Sequence, residues 1–163
     1  MFGFLNRAKL KKDDLKGISK LMYQDNSNDS WDKENLTRRN LDFTIESVRY
    51  IDMYTERLLN TEFGIELLNK HFDNLVVRLG AYVGEVIKNN VKQDFYWYES
   101  DSVQNFSPYL NELHSVNKTQ SVLYSKRKDK VILPLNVVSQ LLKGNCRYSN
   151  LLTYVEEAIK QNS

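Results

Sequence analysis

Apolar positions recur at helical spacing through the first two-thirds of the chain, and then the period shortens to that of strands. Leu15, Ile18, Leu21 and Met22 fall at helical spacing at the end of an N-terminal arm, residues 1–23. Residues 24–33 (QDNSNDSWDK) are polar and turn-rich and read as a loop, with Trp31 anchoring it to the body. Ile45, Val48, Ile51, Tyr54 or Thr55, and Leu58 then make one apolar stripe, with Glu46, Arg49, Asp52, Glu56 and Arg57 on the wet side. Asp42 or Thr44 supplies the N-cap of that helix, and it ends near Asn60. Residues 62–70 predict a shorter helix and residues 72–90 a long one.

The long helix carries a main stripe of Leu75, Val76, Leu79, Val83, Val86 and Ile87. Beside it runs a strip of Val77, Gly80, Ala81 and Gly84. A helix apolar on two sides is covered on two sides, so this one is expected at the centre of the fold. Each interior glycine costs about 1 kcal/mol relative to alanine. Close packing of a neighbouring element on the backbone is the expected compensation.

From residue 93 onward the pattern alternates. Phe95 and Trp97 point one way and Tyr96 and Tyr98 the other, which puts aromatics on both faces of a strand. Ser107-Pro108 marks a break or a helix start before Tyr109, Leu110 and Leu113. Residues 119–125 and 130–133 are β-rich, and Lys126-Arg127-Lys128-Asp129 between them predicts a hairpin turn. Pro134 starts a helix that Gly144 closes, and a last helix covers about residues 149–160. The fold class is α+β: N-terminal helices around a central glycine-containing helix, a small antiparallel sheet with a hairpin, then two C-terminal helices. Residues 1–33 are read as an arm and loop, and 34–163 as one domain.

Composition narrows the function. The 163 residues are 41% apolar and 27% charged, an ordinary globular balance, and the net charge of +2 is too small to imply nucleic acid by itself. One cysteine, Cys146, excludes an internal disulfide and fits a reducing compartment. No apolar run reaches the length of a membrane span. The start is apolar and then basic (Arg7, Lys9, Lys11, Lys12), the reverse of a secretory signal. A cytoplasmic protein is expected, with residues 1–12 as a docking arm or a weak peripheral membrane contact.

Candidate chemistry is sparse. His71 and His114 have no second ligand at metal spacing, Cys146 has no base nearby in sequence, and no phosphate-cradling glycine loop is present. No catalytic residue, metal or cofactor is therefore assigned. Glu85 stands out because a carboxylate on a buried helix is costly unless paired. Asp42 and Asp52 are explained as a cap and a wet-face charge. The Lys126, Arg127 and Lys128 cluster, with Tyr96 and Tyr98, completes the set of candidate partner-binding residues. Tyrosine and tryptophan are common interface anchors, whereas charged hairpin turns also serve simply to discourage edge pairing.

The segment Gly80-Ala81-Tyr82-Val83-Gly84-Glu85 and the strand holding Trp97 resemble a group of small bacterial proteins. These carry a Gly-Ala-Tyr-x-Gly-Glu helix followed by a tryptophan strand, and the resemblance spans roughly residues 40–160. The chain departs from that pattern at Tyr96, where a glycine is usual before the tryptophan. The group has no established catalytic activity. Small proteins of this type are similar to the immunity proteins of contact-dependent toxin systems, an analogy of type that rests on no motif. It implies a non-enzymatic protein that binds and neutralises a cognate toxin. The alternatives are a small-ligand protein or enzyme with a pocket near Glu85, and a nucleic-acid contact through the 126–130 turn.

Overall fold

The computed structural model describes residues 8–25 and 27–163. Two one-turn helices, α1 (Lys16–Ser19) and α2 (Leu21–Gln24), lead to α3 (Ser30–Asn35), α4 (Val48–Asn60) and α5 (Glu62–Asn90). Strand β1 (Phe95–Glu99) is followed by α6 (Ser100–Phe106) and a 3₁₀ turn, Asn111–Ser115. The hairpin of β2 (Ser121–Ser125) and β3 (Lys130–Ile132) leads into α7 (Pro134–Leu142) and α8 (Leu151–Asn162). The fold is α+β, with one antiparallel sheet in the order β1-β2-β3. Trp97 is opposite Leu123 and Tyr96 opposite Tyr124, while Leu123 is opposite Ile132.

The sheet separates two apolar clusters. On one face Phe95, Trp97, Leu123 and Ile132 join the main core built by α4, α5, α7 and α8. On the other, Tyr98, Val122 and Tyr124 pack with Val103, Leu110, Leu113 and Val116. This is why β1 is aromatic on both faces. Leu15 and Met22, from the segment read as an arm, sit in the main core with the helices.

Helix α5 is central, as its two apolar strips imply, and Leu79, Val83, Val86 and Ile87 are fully buried. It kinks at His71 (φ −133°, ψ 32°), the position that separates the two helices expected from the sequence. A Cβ on Gly80 would lie 2.7 Å from Leu135 Cγ, and one on Gly84 would collide with the Trp97 ring. The glycines therefore admit α7 and the indole of β1 against the α5 backbone. Gly144, at φ 78°, closes α7 in the left-handed conformation that glycine adopts most readily.

Several details differ from the sequence-based expectations. The loop at 24–33 contains the start of α3, because Asp29 caps it by accepting the Asp32 N–H at 3.1 Å. Helix α4 begins at Val48, since Phe43 takes a left-handed φ of 64° and Thr44 Oγ1 accepts the Ser47 N–H in the turn that follows. Helix α6 has no counterpart in the sequence reading. Asp52 is not a wet-face charge: its carboxylate accepts the N–H groups of Leu151 (2.7 Å) and Leu152 (3.0 Å) and so caps α8 from the side of α4.

Candidate functional site

Alternation along β1 sorts the candidate residues before any other contact does. Trp97 turns inward and donates its indole N–H to Glu85 Oε2 at 2.8 Å. Lys88, one turn further along α5, reaches the same oxygen at 3.5 Å. Glu85 is 2% exposed and lines none of the cavities described below. Its position is a packed junction between α5 and β1.

Tyr96 and Tyr98 turn to the opposite face and meet different surroundings. Tyr98 is buried and packs edge-on against Tyr124, 6.1 Å between centroids, and burial pushes its phenol pKa up. Tyr96 is 49% exposed. Of the pair, only Tyr96 offers a ring to an incoming molecule.

The N-terminal arm reaches this face by β-pairing. Lys12 bridges Tyr98 in antiparallel register, with Glu99 N–H donating to Lys11 O at 2.9 Å and Asp13 N–H to Trp97 O at 3.2 Å. Side-chain contacts fasten it as well: the Ser121 hydroxyl donates to Asp13, Ser102 Oγ accepts the Lys11 N–H at 2.9 Å, and Lys11 pairs with Glu99 at 3.1 Å. The arm thus covers the outer edge of β1, which would otherwise present unpaired backbone groups. A docking arm is one of the two roles expected for residues 1–12. The membrane-contact alternative falls largely on residues 1–7, outside the described residues.

Pairing the arm to β1 carries its lysines toward the hairpin tip. Lys9, Leu10, Lys12, Tyr98, Phe106 and Lys126 line one groove of about 390 Å³. The Lys12 ammonium stands 5.5 Å from the centre of the Tyr96 ring, and that of Lys126 stands 5.5 Å from the centre of Phe106. Residues 126–130 are all exposed, so Arg127, Lys128 and Lys130 extend the same positive field at the tip.

The acidic groups at the tip each accept a hydrogen bond from a hydroxyl of β2. Asp129, itself at φ 51°, accepts the Tyr124 hydroxyl at 2.6 Å. Asp94 accepts the Ser125 hydroxyl at 2.5 Å and the Arg127 backbone N–H at 3.4 Å, and the Ser125 bond holds its carboxyl below the usual range. Among the described residues, no carboxylate lies in ion-pair contact with Lys9, Lys12, Lys126, Arg127, Lys128 or Lys130, although Arg127 acts on Asp94 from a longer range. Chemically, the face is suited to receiving carboxylates or other anions.

The structure therefore brings together Tyr96, Tyr98, Lys126, Arg127 and Lys128, and leaves Glu85 on the far side of the sheet. Sequence reasoning did not connect Lys9, Lys12 and Phe106 with them. Its only trace of that link was the basic run before Asp13, whose place depends on a strand register that local pattern does not encode.

No family model, curated protein or solved structure matches this chain. Among the described residues no helix is long and apolar enough to cross a membrane.

Proposed function

We propose that this chain is a non-enzymatic, cytoplasmic binding protein that docks an acidic protein surface on the arm-and-hairpin face. The partner we infer is a toxin domain, neutralised by direct binding in the manner of immunity proteins. One observation carries the reading. Basic segments from distant parts of the sequence converge on a single groove, and the nearby carboxylates Asp94 and Asp129 are engaged internally. Exposed like charges repel one another, so such a cluster is a cost in the free protein that an acidic partner relieves. Charge of this kind also speeds encounter and selects among partners.

Protein is favoured over nucleic acid by the state of the rings. Single strands are bound by stacking bases on open aromatic faces. Here Tyr98 is buried and Lys126 stands over Phe106, so of these three rings only Tyr96 is open, short of the succession of rings on which bases stack. The positive sign of the face also directs the reading to an acidic surface of the toxin, away from the basic groove of a nuclease.

Co-expression with the product of the neighbouring gene tests the proposal. A stable complex that is lost on Lys126→Glu/Arg127→Glu/Lys128→Glu, and that weakens as salt rises, is the expected result. Failure to form any complex, or a complex indifferent to the triple charge reversal, overturns it. Retention of nucleic acid in place of protein would favour the contact through the 126–130 turn.

A further inference from the structure

A second cavity lies between the N-terminal helices, α3, α4 and the kink of α5. It measures about 320 Å³, near the lower end of small-molecule sites, which run from roughly 300 to 1,000 Å³. Leu21, Met22, Leu36, Leu67 and Leu75 make its apolar wall, and Tyr54 contributes a phenol whose pKa burial pushes up to about 12.

Asp32 is the group that packing does not explain. It is 3% exposed and lines the cavity. One oxygen, Oδ2, accepts the Ser27 hydroxyl at 2.5 Å. No described side chain donates a hydrogen bond to the other oxygen, and no cation pairs with either. The nearby Arg57 is already committed, to Asp29 at 3.1 Å and to the face of Trp31 at 5.0 Å.

The cavity's own arginine is committed too. Arg78 donates to Asn74 Oδ1 at 3.1 Å, to Asp25 O at 3.1 Å and to Asp25 Oδ2 at 2.7 Å. Arg57 acts on Asp32 only from a distance, while the Asp29 carboxylate beside it repels its charge. A buried carboxylate with no cation in ion-pair contact is costly, and a cation placed there recovers that cost. The described residues hold no group of three or more histidine, cysteine, aspartate or glutamate side chains fit for a metal ion. The donor set thus suits an organic cation.

We propose that this cavity binds a small amine carried on an apolar body, with the ammonium on Asp32 and the body against Leu67, Leu75 and Tyr54. His71 lies in the wall where α5 breaks. The Asp25–Arg78 pair lines the same cavity. This site is separate from the basic face, so either can fail without the other.

Amide NMR titrations of the full chain with 2-phenylethylamine, cyclohexylamine and butylamine, beside 3-phenylpropanoate and 2-phenylethanol, test the assignment. At least one amine should shift resonances of Tyr54, Asn74 and Leu75, and the acid and alcohol should not. Asp32→Asn should weaken amine binding by about tenfold or more, as loss of a charge-assisted contact does. Silence from all three amines, equal shifts from the alcohol or the acid, or undiminished binding to Asp32→Asn overturns the proposal. Should Asp32→Asn fail to fold, Leu67→Trp, which fills the cavity from its half-buried wall, takes its place. Loss of amine shifts in that variant supports the site, and unchanged shifts overturn it.

Discussion

The Trp97 indole is held between two neighbours in α5: its N–H is bonded to Glu85 at 2.8 Å, and its six-membered ring lies against Gly84. Sequence-adjacent residues thus serve opposite ends of one side chain. Glycine lets the ring approach the helix, and glutamate satisfies the one polar atom that the approach buries. Indole N–H groups in protein interiors usually need such a partner. The Gly84-Glu85 pair and Trp97 are one device for fastening β1 to the central helix, and the face of β1 that remains for binding is the one bearing Tyr96.

The Glu85–Trp97 bond should appear as a coupling in unfolding experiments. Glu85→Met and Trp97→Phe each remove it, and the double-mutant cycle should return an interaction of about 1.5–3 kcal/mol, the range for hydrogen bonds to charged groups. Denaturant titrations of the two single variants and the double variant measure it. Additive losses would mean that the contact contributes nothing beyond packing.

Gly84→Ala raises helix propensity by about 1 kcal/mol and yet should destabilise the protein. The added Cβ would overlap the Trp97 ring, which its bond to Glu85 prevents from sliding away. Overpacking of this kind costs about 1–3 kcal/mol. A melting temperature at or above that of the wild type would show that the ring moves freely. In the Trp97→Phe background the penalty should shrink, because the smaller ring leaves room.

Much of this arrangement was legible in the sequence, and the part that was not shares a physical cause. The break between residues 70 and 72, the alternation of β1, the hairpin around Lys126 to Asp129 and the Gly144 stop are local patterns, and each appears where it was expected. Asp52 was misread because its partners, Leu151 and Leu152, are a hundred residues away, and a carboxylate on a polar helix face looks the same with or without them. The grouping of Tyr96, Lys126, Arg127 and Lys128 was anticipated only as separate fragments. Their union with Lys12 depends on the bridge to Tyr98, a tertiary pairing with no periodic signature. Asp32 was hidden for a different reason: a short polar segment reads as solvated loop until packing shows which of its acids is enclosed.

Asp52→Ala should loosen α8 without touching its own residues. The substitution strips acceptors from two N–H groups in the first turn of that helix, while Asn150 keeps its own cap on Thr153. A loss of about 1–2 kcal/mol is expected, in line with removal of a strong N-cap. Hydrogen exchange should speed at Leu151 and Leu152 before it does in α5. Protection unchanged at those two amides would show that the cap is redundant.

Asp32 should reveal its burial through pH. Burial, the largest cause, raises its pKa above the ordinary 3.8; the Ser27 hydroxyl and Arg57 pull it down, and Asp29 pushes it up. A folded-state pKa above the unfolded one means that the folded chain keeps a proton that the unfolded chain has released. Stability from this group is therefore fully present below the unfolded pKa and is lost as pH rises through the folded value. Asp32→Asn mimics the protonated form at every pH, so the stability of the wild type relative to this variant should fall as pH increases across that window. Taking the difference between the two proteins cancels the carboxylates they share. Urea titrations at several pH values measure it, and a difference that grows with pH would show instead that a cation within the fold already stabilises Asp32. Saturating amine should flatten the decline, because a ligand that favours the ionised carboxylate lowers the folded-state pKa toward its unfolded value.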